Sequence, residues 1–176
     1  MFIAAGLGVS PWTVLAQGIS MQLGWSVGFS TFVVSVSVLL LWIPLKEVPG
    51  FGTLSNAVLI AVAIDVMTPI MTLPEGSAIR YLQLIIGVVL IGIGSGLYLT
   101  ANLGPGPRDG LMTGLQRLTQ KPIGWVRAGL EIIVLCAGWL LGGTVGVGTV
   151  VFALGVGYAV AFSLALVKRL GAAKLS

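Results

Sequence analysis

The stretch at 96–115, GLYLTANLGPGPRDGLMTGL, carries an apolar run into a Gly-Pro turn and then directly into Arg108 and Asp109. Adjacent opposite charges stand out in a chain of 176 residues of which only 8% are charged. The apolar run that ends in this turn is one of five, at about 26–45, 51–73, 80–101, 123–142 and 147–168. Each is long enough to cross a bilayer, since a hydrocarbon core about 30 Å thick takes roughly 20 helical residues at about 1.5 Å each. Hydrophobic residues make up 57% of the chain and the mean hydropathy is +1.09. A soluble domain carries about 25% charged residues, and five acids with nine bases cannot build such a shell. Lipid must therefore replace water over most of the surface. The fold expected is all-α: a polytopic transmembrane bundle of about five spans plus two short helices, with short links and a single membrane domain over 1–176.

The opening stretch has an echo. AGLGVSPWTVLAQGI at 5–19 aligns with ANLGPGPRDGLMTGL at 101–115, an offset of 96. The register continues without a gap: Gly28 meets Gly124, Val38 and Leu39 meet Val134 and Leu135, and GFGT at 50–53 meets GVGT at 146–149. Each repeat, at about 1–73 and 80–170, reads as a Leu-Gly-x-x-Pro turn, a short helix, a span, a Gly-x-Gly-Thr turn and another span. The second repeat also has a leading span, where the first has only MFIAAG. Equivalent units would make the complete architecture three spans plus three, with most of one leading helix lacking here.

An odd number of spans per unit inserts the two repeats in opposite orientations, an inverted internal repeat. Lys46, Arg108, Arg117, Lys121, Lys168, Arg169 and Lys174 fall on one side and Arg80 on the other. The positive-inside rule places the basic side, with the C-terminus, in the cytoplasm. The short helix at about 107–119 is then cytoplasmic and its counterpart at about 11–22 lies on the outer side, either re-entrant or at the surface. Trp25, Trp42, Tyr81, Tyr98, Trp125 and Trp139 fall near span ends and read as headgroup-level anchors. Gly92 and Gly96, Gly138 and Gly142, and Ala153, Gly157 and Ala161 have the small-xxx-small spacing of close helix packing.

Polar chemistry has few places to be. Asp65 lies inside the second span and Glu131 inside the fourth, with Arg127 four residues before it. An ionisable group at such depth costs about 2.5–3.5 kcal/mol on insertion scales and faces a bundle interior or a wet cavity. Arg127 and Glu131 can pair on one helix face, as a structural lock or as part of a coupling path for a proton or cation. Arg108 and Asp109 follow Pro107 at a helix start, where an acid meets the positive dipole end. The candidate polar pathway is therefore Arg108, Asp109, Arg127, Glu131 and Asp65, with turn and half-helix elements at Gly8, Pro11, Trp12, Gly104, Pro105, Gly106 and Pro107. In the first copy Trp12 and Thr13 replace the Arg and Asp.

Other chemistry is poorly supported. The chain has no histidine and a single cysteine, Cys136, inside a span, so neither a disulfide nor a metal site is expected. No secretory signal is visible at the N-terminus. GGTVGVGT lacks the Gly-Lys-Ser/Thr and preceding strand of a phosphate loop. No enzyme, cofactor, metal or nucleic-acid function is expected, and no Gly-x-Ser-x-Gly elbow is present.

The Leu-Gly-x-x-Pro-Trp turn, WIPLKEVPGFGTLSNA, GSGLYLTANLGPGPRDGLMTGL, VRAGLEIIVLCAGWLLGG and GVGTVVFAL closely resemble the YczE/YyaS/YitT group of bacterial membrane proteins, nearer its YczE-like branch. The resemblance covers nearly the whole chain. It implies a multi-pass protein of the bacterial inner membrane with a further N-terminal helix after a basic start, and a first turn continuing Pro-Trp-Asp where this chain has Thr13. It supplies no reaction; transport or a supporting role in export is what it suggests. The function expected is a small-solute or ion permease, with a non-transporting accessory protein as the alternative. The bilayer, an unidentified solute or ion, and a second copy or a membrane partner are the expected partners.

Overall fold

The computed structural model describes residues 3, 6–71, 76–101 and 103–173. Among them are seven helices and no strand: α1 Pro11–Leu23, α2 Val27–Leu45, α3 Phe51–Met67, α4 Ser77–Thr100, α5 Pro107–Thr119, α6 Ile123–Leu140 and α7 Val147–Ala173. α1 and α5 each open on proline, whose missing N–H is no loss in a first turn that lacks intrahelical acceptors. α2, α4, α6 and α7 are each long and apolar enough to cross a membrane. The run at 51–73 is helical for only 17 residues, as α3. Pro69 has no N–H to continue the ladder, and Thr68 turns its hydroxyl onto the Ile64 carbonyl at 2.6 Å. The described residues thus hold four helices long and apolar enough to span a membrane and one shorter apolar helix. Lys174, counted among the cytoplasmic bases, lies outside the described residues.

The chain divides into two compact units. One holds residues 6–10, α4 and α7. There Gly92 lies against Ala159, and Gly96 lies against Ser163, whose Oγ donates to the Ile93 carbonyl at 3.3 Å. The missing side chains let the two backbones close up, which is how helices gain dispersion energy where water supplies no driving force. The face of α7 that packs is therefore Val156, Ala159 and Ser163, while Ala153, Gly157 and Ala161 are exposed. Spacing marks a stripe of small residues without saying which helix it meets. In the same unit the Leu7 carbonyl accepts from Gly148 N at 2.7 Å, and Thr149 Oγ1 accepts from Gly146 N at 3.3 Å. Gly8 sits at φ +101°, and a Cβ there would fall 2.6 Å from Gly146 N, so both conformation and space demand glycine.

The other unit holds α1, α2, α3, α5 and α6. α1 packs on α6 and α2, α5 on α2 and α6, and α3 on α2. Its core is Trp12, Val34, Val38, Trp42, Leu111 and Val134. The second Leu-Gly turn makes the same bonds as the first. The Leu103 carbonyl accepts from Gly52 N at 2.8 Å, Gly104 sits at φ +108°, and Thr53 Oγ1 accepts from Gly50 N at 3.2 Å. Thr53 Oγ1 also donates to the Pro105 carbonyl at 2.6 Å. Subtracting 96 from Leu103 gives Leu7, and adding 96 to Gly52 gives Gly148. Each Leu-Gly turn therefore docks on the Gly-x-Gly-Thr segment that the offset of 96 assigns to the other copy. The short helices follow the same rule: α1 of the first repeat lies on α6 of the second at Gly18 and Gly138, and α5 of the second lies on α2 of the first at Gly110 and Trp42. Outside these contacts the helices present Leu40, Leu41, Ile132, Ile133, Leu154 and Phe162 outward, a surface suited to lipid.

Candidate functional site

Arg108 and Asp109 of α5 and the charges of α6 gather at the start of α5, while Arg117 pairs with Glu47 at its other end. The Arg108 guanidinium carbon lies 5.1 Å from the centre of the Trp12 ring, so the second residues of α1 and α5 stack on one another. Asp109 follows in the first turn of α5, and Glu131 on α6 is near enough to favour the charged form of Arg108. Arg127 Nε donates to Glu131 Oε1 at 3.0 Å, one turn along α6. Charge thus alternates from Arg127 to Glu131 to Arg108 to Asp109, with the Trp12 ring closing the end. Desolvation lowers the Arg108 pKa to about 10 against the opposing pull of Asp109 and Glu131. The group stays cationic at neutral pH. This arrangement has no net formal charge.

The turn places its elements without side-chain caps. Pro107 is the first residue of α5, and Gly106, the N-cap, has extended φ −61° and ψ 159° with no side-chain bond. The Gly106 carbonyl accepts from Gly110 N at 3.0 Å. Pro11 is the corresponding first residue of α1. Pro105 and Pro107 are anchored by their carbonyls, the former by Thr53 and the latter by Trp42 Nε1 at 3.0 Å.

Two residues behave differently from their sequence reading. Trp42 is 1% exposed and is no headgroup anchor: its indole covers Gly110 and ties the start of α5 to the end of α2. The signal in the sequence was Gly110, a glycine in the first turn of the short helix. Trp25, Tyr81, Trp125 and Trp139 are exposed, as anchors would be. Asp65, meanwhile, does not join the other charges. Its Oδ1 accepts from Gly28 N at 2.8 Å and its Oδ2 from Ser26 Oγ at 2.6 Å, capping the start of α2. Gly28 and Trp42 are separated by about 21 Å of helix rise, which sets Asp65 well away from Pro107.

Residues 1–164 match the family described as "Family of unknown function (DUF6198)". The chain is 45% identical over 170 residues to an "Uncharacterized protein" of Haemophilus influenzae, covering 97% of this chain and 78% of that protein. It is 38% identical over 162 residues to the "Uncharacterized membrane protein YczE" of Bacillus subtilis, covering 90% and 74%. A third relative, "Uncharacterized protein YyaS" of Bacillus subtilis, is 29% identical over 151 residues. No solved structure matches the chain. With its apolar spans and these relatives, the chain is a membrane protein that belongs to the DUF6198 family, as a relative of YczE.

Proposed function

We propose that this protein is a permease for a small solute or ion in the bacterial inner membrane, crossing it several times with the C-terminus in the cytoplasm. The observation that carries the reading is the stack of Arg108 on Trp12, which joins the starts of two short helices and continues into Glu131 and Arg127. Half-helix starts present unpaired N–H groups and positive dipole ends, and backbone broken by Gly-Pro at membrane depth lines protein or a wet cavity. The reciprocal contacts at an offset of 96 support two repeats of opposite orientation, the plan on which many transporters rock around a central site. A pathway through Arg108, Asp109, Glu131 and Arg127 would be small, so assembly with a second copy or a membrane partner belongs to this reading. No catalytic role is assigned.

A second reading rests on the Arg127–Glu131 bond itself, which lies within one helix and so locks geometry without needing a substrate. On that reading the protein is an accessory component that stabilises a partner complex. Reconstitution in proteoliposomes separates the two. A permease gives proton flux reported by a trapped pH dye, or osmotic uptake of one of a panel of amino acids, sugars and organic acids. Glu131→Gln should leave the protein folded and lower that flux at least tenfold. No flux from the unaltered protein across the panel, with a partner retained in mild detergent, establishes the accessory role instead.

A further inference from the structure

Thr113, Gln116, Arg117, Gln120, Lys121 and Pro122 line an open groove of about 420 Å³ where α5 ends and the chain turns into α6. Two of these side chains are cationic and two are amides with N–H donors. Arg117 is held in place: its Nη2 donates to the Leu45 carbonyl at 2.6 Å and lies 3.1 Å from Glu47 Oε1. No described residue pairs with Lys121, which is exposed. The groove's height is set by the same bonds. Leu45 is the last residue of the α2 span, and Pro122 immediately precedes Ile123, the first residue of the α6 span. A site at the ends of two spans lies where the lipid phosphates are.

The plainer explanation is that Arg117 and Lys121 offset the negative end of the α5 dipole. That accounts for the charge but not for the groove, nor for the large apolar side chains exposed in the same stretch. Leu118, Ile123 and Trp125 are exposed in the same stretch of chain, so basic donors and apolar side chains come together where α5 passes into α6. A ligand matching both is an anion with an apolar tail.

We propose that this groove binds the phosphate of an anionic phospholipid headgroup. Lys121 is its charged contact, Gln116 and the second N–H of Gln120, whose Nε2 already donates to the Arg117 carbonyl at 2.7 Å, are neutral donors, and Arg117 is positioned by Glu47. The full chain in detergent would be titrated with short-chain phosphatidylglycerol, with phosphatidylcholine of the same chain length and with inorganic phosphate. Binding would be read by native mass spectrometry and by thermal stability. Phosphatidylglycerol should bind about fivefold or more tightly than phosphatidylcholine, and Lys121→Gln should remove that preference, since one surface lysine is worth about that factor. Lys46→Gln removes a nearby base that does not line the groove and should keep the preference. Equal binding of the two lipids, an unchanged preference in Lys121→Gln, or equal loss in Lys46→Gln would overturn the proposal. So would inorganic phosphate alone stabilising the protein as strongly as phosphatidylglycerol, which would make the groove a site for the free ion.

Discussion

Arg108 and Trp12 stand 96 positions apart at the same place in two repeated segments, and the guanidinium of one lies 5.1 Å from the ring of the other. This explains why only one of two equivalent turns carries charge. Two arginines at that meeting would repel across a poorly solvated gap, whereas one arginine and one tryptophan attract through the ring quadrupole.

The pair should show its coupling directly. Trp12→Ala, Arg108→Gln and the double variant, compared by unfolding in mixed detergent, should give a coupling energy of about 0.5–2 kcal/mol. Trp12→Arg, which restores sequence symmetry, should destabilise more than Trp12→Ala. Additive single effects, or a tolerated Trp12→Arg, would show that the contact contributes nothing.

Glycines at helix crossings should divide by what faces them. A Cβ at Gly110 would collide with the Trp42 indole, which is fixed by its bond to Pro107. Gly110→Ala should therefore cost about 1–3 kcal/mol. Gly94, on α4, has nothing within 4 Å, and Gly94→Ala should stay within about 0.5 kcal/mol of the parent. Thermal scans of both variants in one detergent make the comparison; similar losses would argue against the Trp42 contact.

Thr53 tests the docking of the second turn. It is fully buried, donates to Pro105 and accepts from Gly50. Thr53→Val keeps the shape but leaves both partners unpaired, with an expected cost of about 1–3 kcal/mol. Thr53→Ser should recover a large part of it, and failure to do so would assign the loss to packing of the methyl group.

Asp65 should matter for stability and not for transport. Asp65→Ala leaves the Ser26 cap but removes the acceptor of Gly28 N and Ser26 Oγ at the start of α2, and about 1–2 kcal/mol of stability should go with it. Asp65→Asn should be milder, keeping one acceptor oxygen for Gly28 N. In proteoliposomes Asp65→Asn should retain the flux that Glu131→Gln loses. Equal loss of flux in a folded Asp65→Asn would place the residue on the pathway after all.

Much of this was legible along the chain. Hydropathy and the scarcity of charge gave the class, since apolar runs of that length have no other stable solvent. The turns announced themselves through Gly8 and Gly104, whose positive φ only glycine takes readily, and the short helices through Pro11 and Pro107 at their starts. The 3.6-residue period also put Arg127 and Glu131 on one face, where they bond. By contrast, the stripe at Ala153, Gly157 and Ala161 had the spacing of an interface and lies exposed, because spacing is indifferent to partner.

The sequence by itself determined that this is a helical membrane protein, because hydropathy and turn chemistry are local properties of the chain, and its register at an offset of 96 reads as two copies of one element. Which copy each element would lie against was decided only by tertiary structure. The register matches Leu7 with Leu103 and Gly52 with Gly148, but only folding shows that Gly148 bonds Leu7 and Gly52 bonds Leu103, each across to the other repeat. The same exchange buried Trp42 over Gly110 and brought Trp12 against Arg108, while Asp65 was drawn to the start of α2 within its own half of the chain. These are contacts between residues far apart in the chain, fixed by complementary size and charge when helices pack, and no local pattern encodes them.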